Sequence, residues 1–208
     1  MNEDFAKVTY PVITHALELR ERLERGDALD IETEQGRLLA LLQNEAEARR
    51  LPDYGGDAGF LGVRYALTCW IDELFIVYSR WGDQWNKRKL EVTLYGGTSE
   101  RAWRFWKQAD VARSRTGGDA LEVFFLCVML GFRGQYSGDQ AKIQSWVDAV
   151  RAQVSRGGEW TAPPDLGMRT NVAPLRGRET LLKKLMTLGA AAVVLGVILA
   201  FLYRSSTT

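Results

Sequence analysis

The stretch YALTCWIDELFI, Tyr65–Ile76, decides how this chain is read. It has the apolar density of a buried helix, yet two adjacent acids, Asp72 and Glu73, stand in its middle. A carboxylate left unpaired in an apolar interior is costly enough to shift its pKa, find a partner or turn to water. On a helix the neighbours of Asp72 are Thr68, Cys69, Phe75 and Ile76, and those of Glu73 are Cys69, Trp70, Ile76 and Val77. None is basic. The acids therefore meet a base from another element, face solvent, or await a partner protein. Counted from Trp70 at about 100° per residue, Asp72 points opposite and Glu73 lies about 60° to one side. They cannot share one core contact, and this divergence is poor geometry for acid/base work on one substrate bond.

Helical spacing extends outward from this stretch. Apolar residues recur with a helical period from Phe5 to Arg25 and from Ile31 to Arg50, where Pro11 fits only the first turns. Leu51-Pro-Asp-Tyr-Gly-Gly breaks the pattern, and Asp57 is placed to cap a third helix from Ala58 to Trp81. After an irregular stretch, Thr98 or Ser99 can cap a fourth helix to Arg113, with Glu100 and Arg104 spaced as a surface pair. Asp119 opens a fifth, ALEVFFLCVMLGF, apolar nearly all round and so expected at the centre. Gly131 and Gly134 stand where it should stop, supplying left-handed backbone. Gly138-Asp139 opens the last, to about Arg156. Only Leu90–Tyr95 alternates like a strand, and one short segment cannot make a sheet. The expectation is an all-α domain of about six helices.

Composition narrows the chemistry. Of the 208 residues 46% are hydrophobic, enough for a real core, and 27 Lys and Arg balance 26 acids. No dense basic run interleaves with aromatics, which argues against nucleic acid. Cys69 and Cys127 lie in apolar stretches without metal-ligand spacing, and the single histidine, His15, has no nucleophile or ligand near it in sequence. The glycine pair of YGGTSE lacks the following GK[ST] of a phosphate loop. No catalytic, cofactor-binding or metal site is expected.

The C-terminal part reads differently. LMTLGAAAVVLGVILAFLY, Leu185–Tyr203, is 19 residues without a charge, the length of a transmembrane helix. Arg176, Arg178, Lys183 and Lys184 precede it and only Arg204 follows, placing the N-terminal domain in the cytoplasm and a short tail outside. Within it Ala192, Gly196 and Ala200 form a ridge of small residues suited to helix association. Between domain and anchor, Gly157–Gly177 holds three of the five prolines and reads as a linker. The expected organisation is a helical domain over 1–156, a linker over 157–178, an anchor over 179–204 and a tail over 205–208.

Two strings carry a family resemblance. YALTCWIDELFI, followed by LEVFFLCVMLGFRGQY at Leu121–Tyr136, resembles the DotU/TssL (IcmH-like) family of bacterial secretion-system membrane proteins. The resemblance implies a cytoplasmic, hook-like domain of two small helical bundles on one C-terminal membrane helix in the bacterial inner membrane. It also implies a non-enzymatic scaffold of a type VI secretion complex, or its type IVB counterpart. The implied partners are an IcmF/TssM-like inner-membrane protein and TssK-like and other baseplate proteins, while the small-residue ridge suits pairing with further copies of itself. In that family the matching acids, here Asp72 and Glu73, belong to a partner-binding cleft; Arg133 is a candidate base for that cleft. Where many members show Gly-Glu-x-Phe-Phe, this chain has GGTSERAWRFW, which leaves the loop from Gly82 to Thr98 open. A tail-anchored adaptor of an unrelated complex is the alternative.

Overall fold

The computed structural model describes residues 1–154, and these are helical throughout their ordered elements. The helices of eleven residues or more are α1 (Glu3–Arg25), α2 (Ile31–Leu42), α5 (Gly62–Tyr78), α8 (Arg101–Arg113), α9 (Asp119–Met129) and α10 (Gln140–Val154). These are the six expected ones. Between them lie short pieces the periodicity did not resolve: α3 (Glu45–Arg50), α4 (Pro52–Gly55), α6 (Gly82–Asn86), α7 (Leu90–Tyr95) and a 3-10 turn, η1 (Gly134–Tyr136).

Local chemistry sets the boundaries. The Asn2 side chain accepts from the Phe5 amide to open α1, and Gly26, at φ 90°, closes it. Pro11 sits deeper in α1 than expected, but on the exposed face, where the missing amide hydrogen bond is replaced by water at least cost. The expected second helix is divided because Asn44 accepts from the Glu47 amide and starts α3. Asp57 does not cap α5 directly; its carboxylate accepts from the Gly59 and Phe60 amides in the preceding turn. Gln108 of α8 takes the Leu61 amide there instead, at 2.7 Å. Gly62 must be glycine, since φ is 79° and a Cβ would lie 2.3 Å from the Tyr54 carbonyl oxygen.

α5, rather than α9, is the central element. It packs against α1, α2, α4, α6, α7, α8 and α9, and its residues from Tyr65 to Phe75 are all buried. α1 pairs with α2 and α8 with α9; α10 rests on α9 and η1. α5 joins both groups in one continuous apolar core that includes Leu19, Leu38, Trp70, Phe105, Phe124 and Val147. Each such side chain contributes about 1.5–3 kcal/mol by leaving water.

The linker over 157–178, the apolar segment Leu185–Tyr203 and its ridge of Ala192, Gly196 and Ala200 lie outside the described residues. Among the described residues no helix is long and apolar enough to cross a membrane.

Candidate functional site

Asp72 and Glu73 leave α5 in different directions and meet different elements. Asp72 turns toward α6 and α7. Its Oδ1 accepts from the Trp85 indole Nε1 at 2.8 Å and from the Leu90 amide at 2.9 Å, and its Oδ2 accepts from the Glu91 amide at 2.9 Å. α7 has no capping side chain of its own, so Asp72 supplies the cap from a distant helix. A carboxylate there satisfies orphan amides and meets the positive end of the short helix. This explains why Leu90–Tyr95, strand-like in pattern, is helical.

The network continues through Glu91, which is 2% exposed. Its carboxylate accepts from the Tyr65 hydroxyl at 2.8 Å, the Ser99 hydroxyl at 2.8 Å and the Glu100 amide at 3.1 Å. The last of these ties α7 to the start of α8, where neither Thr98 nor Ser99 caps as expected; Glu100 occupies the N-cap position without a side-chain cap. The Glu100–Arg104 pair does form, at 2.9 Å.

Glu73 turns toward the end of α9. Its carboxylate accepts from the Arg133 amide at 2.6 Å and from the Gly134 amide at 3.1 Å. Trp70 points the same way, donating its Nε1 to the Leu130 carbonyl at 3.3 Å. Gly131 and Gly134 are left-handed, at φ 110° and 53°, as their position at the stop of α9 predicts. Gly134 is fixed further by crowding: a Cβ there would lie 2.5 Å from the Ala102 carbonyl oxygen.

The expectation of two open groove acids is corrected at Asp72. It is 0% exposed and both its oxygens are consumed by internal donors, so no partner reaches it in this structure. Glu73, 7% exposed, stands at a shallow depression with Trp70, Leu74, Tyr78, Leu130, Gly131 and Phe132. Arg133 lies against Glu73 but forms no ion pair with it. Its guanidinium donates to the Val128 and Phe132 carbonyls, and it meets Glu73 through its backbone amide. The charge of Arg101, at the start of α8, lowers the pKa of both acids, and that of Arg133 lowers the pKa of Glu73 as well. Burial outweighs these charges, and both carboxyl groups titrate above their ordinary range, with the amide and indole hydrogen bonds opposing the rise.

The remaining candidates are structural in place. His15 of α1 lies 3.3 Å from the buried Glu34 carboxylate of α2, which Arg22 of α1 also meets at 3.5 Å and Arg37 of its own helix at 2.9 Å. Cys69 and Cys127 are free and fully buried, and burial pushes both thiols up, away from the reactive thiolate form. Among the described residues no group of His, Cys, Asp or Glu could hold a metal ion. Trp85, Glu91 and Arg101 were not legible as neighbours of the acids, because each reaches them from another helix, and Tyr65 and Ser99 join the network only through Glu91.

A search of the curated proteins and of the solved structures finds no match to this chain. The family described as "Type VI secretion system protein DotU" matches residues 4–206, which takes in both the helical domain and the apolar C-terminal segment. With one motif string forming the central helix and the other packed against it as α9 and its stop, the chain belongs to the DotU family of type VI secretion system proteins.

Proposed function

We propose that this chain is a scaffold subunit of a type VI secretion membrane complex. The observation that carries this is the family match across residues 4–206. Leu185–Tyr203 anchors it in the bacterial inner membrane by a single pass, its basic N-terminal flank holds the helical domain in the cytoplasm, and Ala192, Gly196 and Ala200 offer a face for helix association. The domain works by binding. It links an IcmF/TssM-like inner-membrane partner to the baseplate through a TssK-like component.

The surface we assign to the baseplate side is the depression beside Glu73. Tyr78 lines it and is 47% exposed, and Val77 and Met129, each next in sequence to a lining residue, are 57% and 51% exposed, among the few large apolar side chains left open to water. A central aromatic with an apolar surround has the character of an interface anchor. Glu73, held by two amides, adds a fixed negative charge that favours basic partners.

The test is co-purification from native membranes of the detergent-solubilised full-length protein, followed by mass spectrometry, beside a Tyr78→Glu/Met129→Glu variant of matched helicity. Recovery of IcmF-like and baseplate proteins with wild type, and loss of the baseplate proteins alone with the variant, is the expected result. Absence of both classes from the wild-type sample overturns the proposed role. Asp72 is unsuitable for this test, since charge reversal there removes the cap of α7.

A further inference from the structure

A second surface lies elsewhere on the domain, where the first turns of α8 meet η1 and the start of α10. Trp103 is 41% exposed and carries cations on its ring: the Arg104 guanidinium lies 5.7 Å and the Lys107 Nζ 5.9 Å from the ring centroid. η1 continues the same surface, because Gly134 packs against the Ala102 carbonyl immediately before Trp103. There the Lys142 Nζ sits 4.5 Å from the Tyr136 ring centroid. Trp106, buried beneath, joins the parts, its ring 4.8 Å from Tyr136 and 5.3 Å from Trp146.

The charge on this surface is partly free. Arg104 shares its charge with Glu100, and Asp139, which accepts the Lys142 amide at the start of α10, keeps its negative charge there. Among the described residues Lys107 and Lys142 form no ion pair, and both are exposed. Asp110, one turn beyond Lys107, marks the edge of the basic area.

We propose that this surface docks on the anionic face of a lipid bilayer, with the Trp103 ring at headgroup depth and Lys107 and Lys142 on lipid phosphates. The proposal rests on the membrane anchoring proposed above. An indole has an apolar body and a polar edge, which suits the headgroup boundary, and flanking cations gain from anionic lipid. The cations flank a ring that stands out from the helix, an arrangement that suits a flat lipid surface. The 30 residues from 155 to 184 tether the domain to the same leaflet, so weak docking suffices at the resulting local concentration.

The experiment uses full-length protein in nanodiscs whose lipids carry bromine near the headgroup end of the acyl chain, made with phosphatidylcholine alone or with phosphatidylglycerol. Tryptophan quenching is compared for wild type, Trp103→Phe and Lys107→Gln/Lys142→Gln, each with wild-type circular dichroism. With phosphatidylglycerol, wild type should be quenched more than Trp103→Phe, and the difference should vanish in phosphatidylcholine alone and at high salt. The docking equilibrium should fall about fivefold for each lysine removed. Equal quenching of wild type and Trp103→Phe in anionic discs overturns the docking while leaving the anchoring intact. Shielding of Trp103 that requires an added acidic protein overturns it in favour of a protein partner. Failure of the chain to enter nanodiscs at all overturns the anchoring and this proposal together.

Discussion

The two faces of α5 treat neighbouring carboxylates in opposite ways. On the α7 side Asp72 is sealed in and its donors come from three residues of α6 and α7. On the α9 side Glu73 holds two consecutive amides at the rim of a depression. Both acids stitch one element to another by accepting backbone N–H groups, with no basic side chain bonded to either. The difference is what lies beyond: α6 and α7 cover Asp72, whereas among the described residues Tyr78, at the depression beside Glu73, stays exposed. Rigidity on one face of a helix can therefore hold a surface steady on the other.

The largest expected effect tests the sealed face. Asp72→Ala leaves the Trp85 indole and the Leu90 and Glu91 amides unsatisfied in the interior, which should cost about 3–5 kcal/mol in urea unfolding. Hydrogen exchange should show α7 losing protection before α9 does; equal loss everywhere would erase the distinction between the faces. Gly134→Ala strikes the other face. The left-handed backbone and the close Ala102 carbonyl should make it cost about 1–3 kcal/mol, with faster exchange at Arg133 and Gly134 and α7 unaffected.

Trp85→Phe removes one donor to Asp72 while keeping most of the ring stacked 4.4 Å from Phe75. A loss of about 1–2 kcal/mol is expected, and a larger one would mean that the indole packing outweighs the hydrogen bond. A pH series with Asp72→Asn isolates the charge. Burial raises the folded-state pKa of Asp72 above 3.8, so the folded protein holds that proton more tightly than the unfolded chain. Wild-type stability relative to the Asn variant should be greatest below the ordinary carboxylate range. It should fall as pH rises through the raised value, to be followed by urea midpoints between about pH 4 and 7. The smallest effect belongs to the open rim: Tyr78→Glu/Met129→Glu should change stability by no more than about 0.5 kcal/mol while abolishing capture of the baseplate proteins alone.

The angular reading of Asp72 and Glu73 was accurate, since Glu73 and Trp70 do reach the same segment and Asp72 the opposite one. What that reading could not assign was the partners. Arg133 stood out as a base because of its position in LGFRGQY, yet its amide, which every residue other than proline has, is the part that binds. Leu90–Tyr95 misled for a related reason. Its alternation is weak local information, and its helical state depends on a cap donated from 18 residues away.

Read alone, the sequence determined the long helices, the stop at Gly131 and the family. Each of these depends on side-chain period, on glycine conformation or on motif strings, all local along the chain. The tertiary structure alone decided that α5 is central, that α6 and α7 cover Asp72, and that both acids accept from backbone amides. Backbone donors are the same at nearly every position, so which of them a buried carboxylate finds is set by how helices pack.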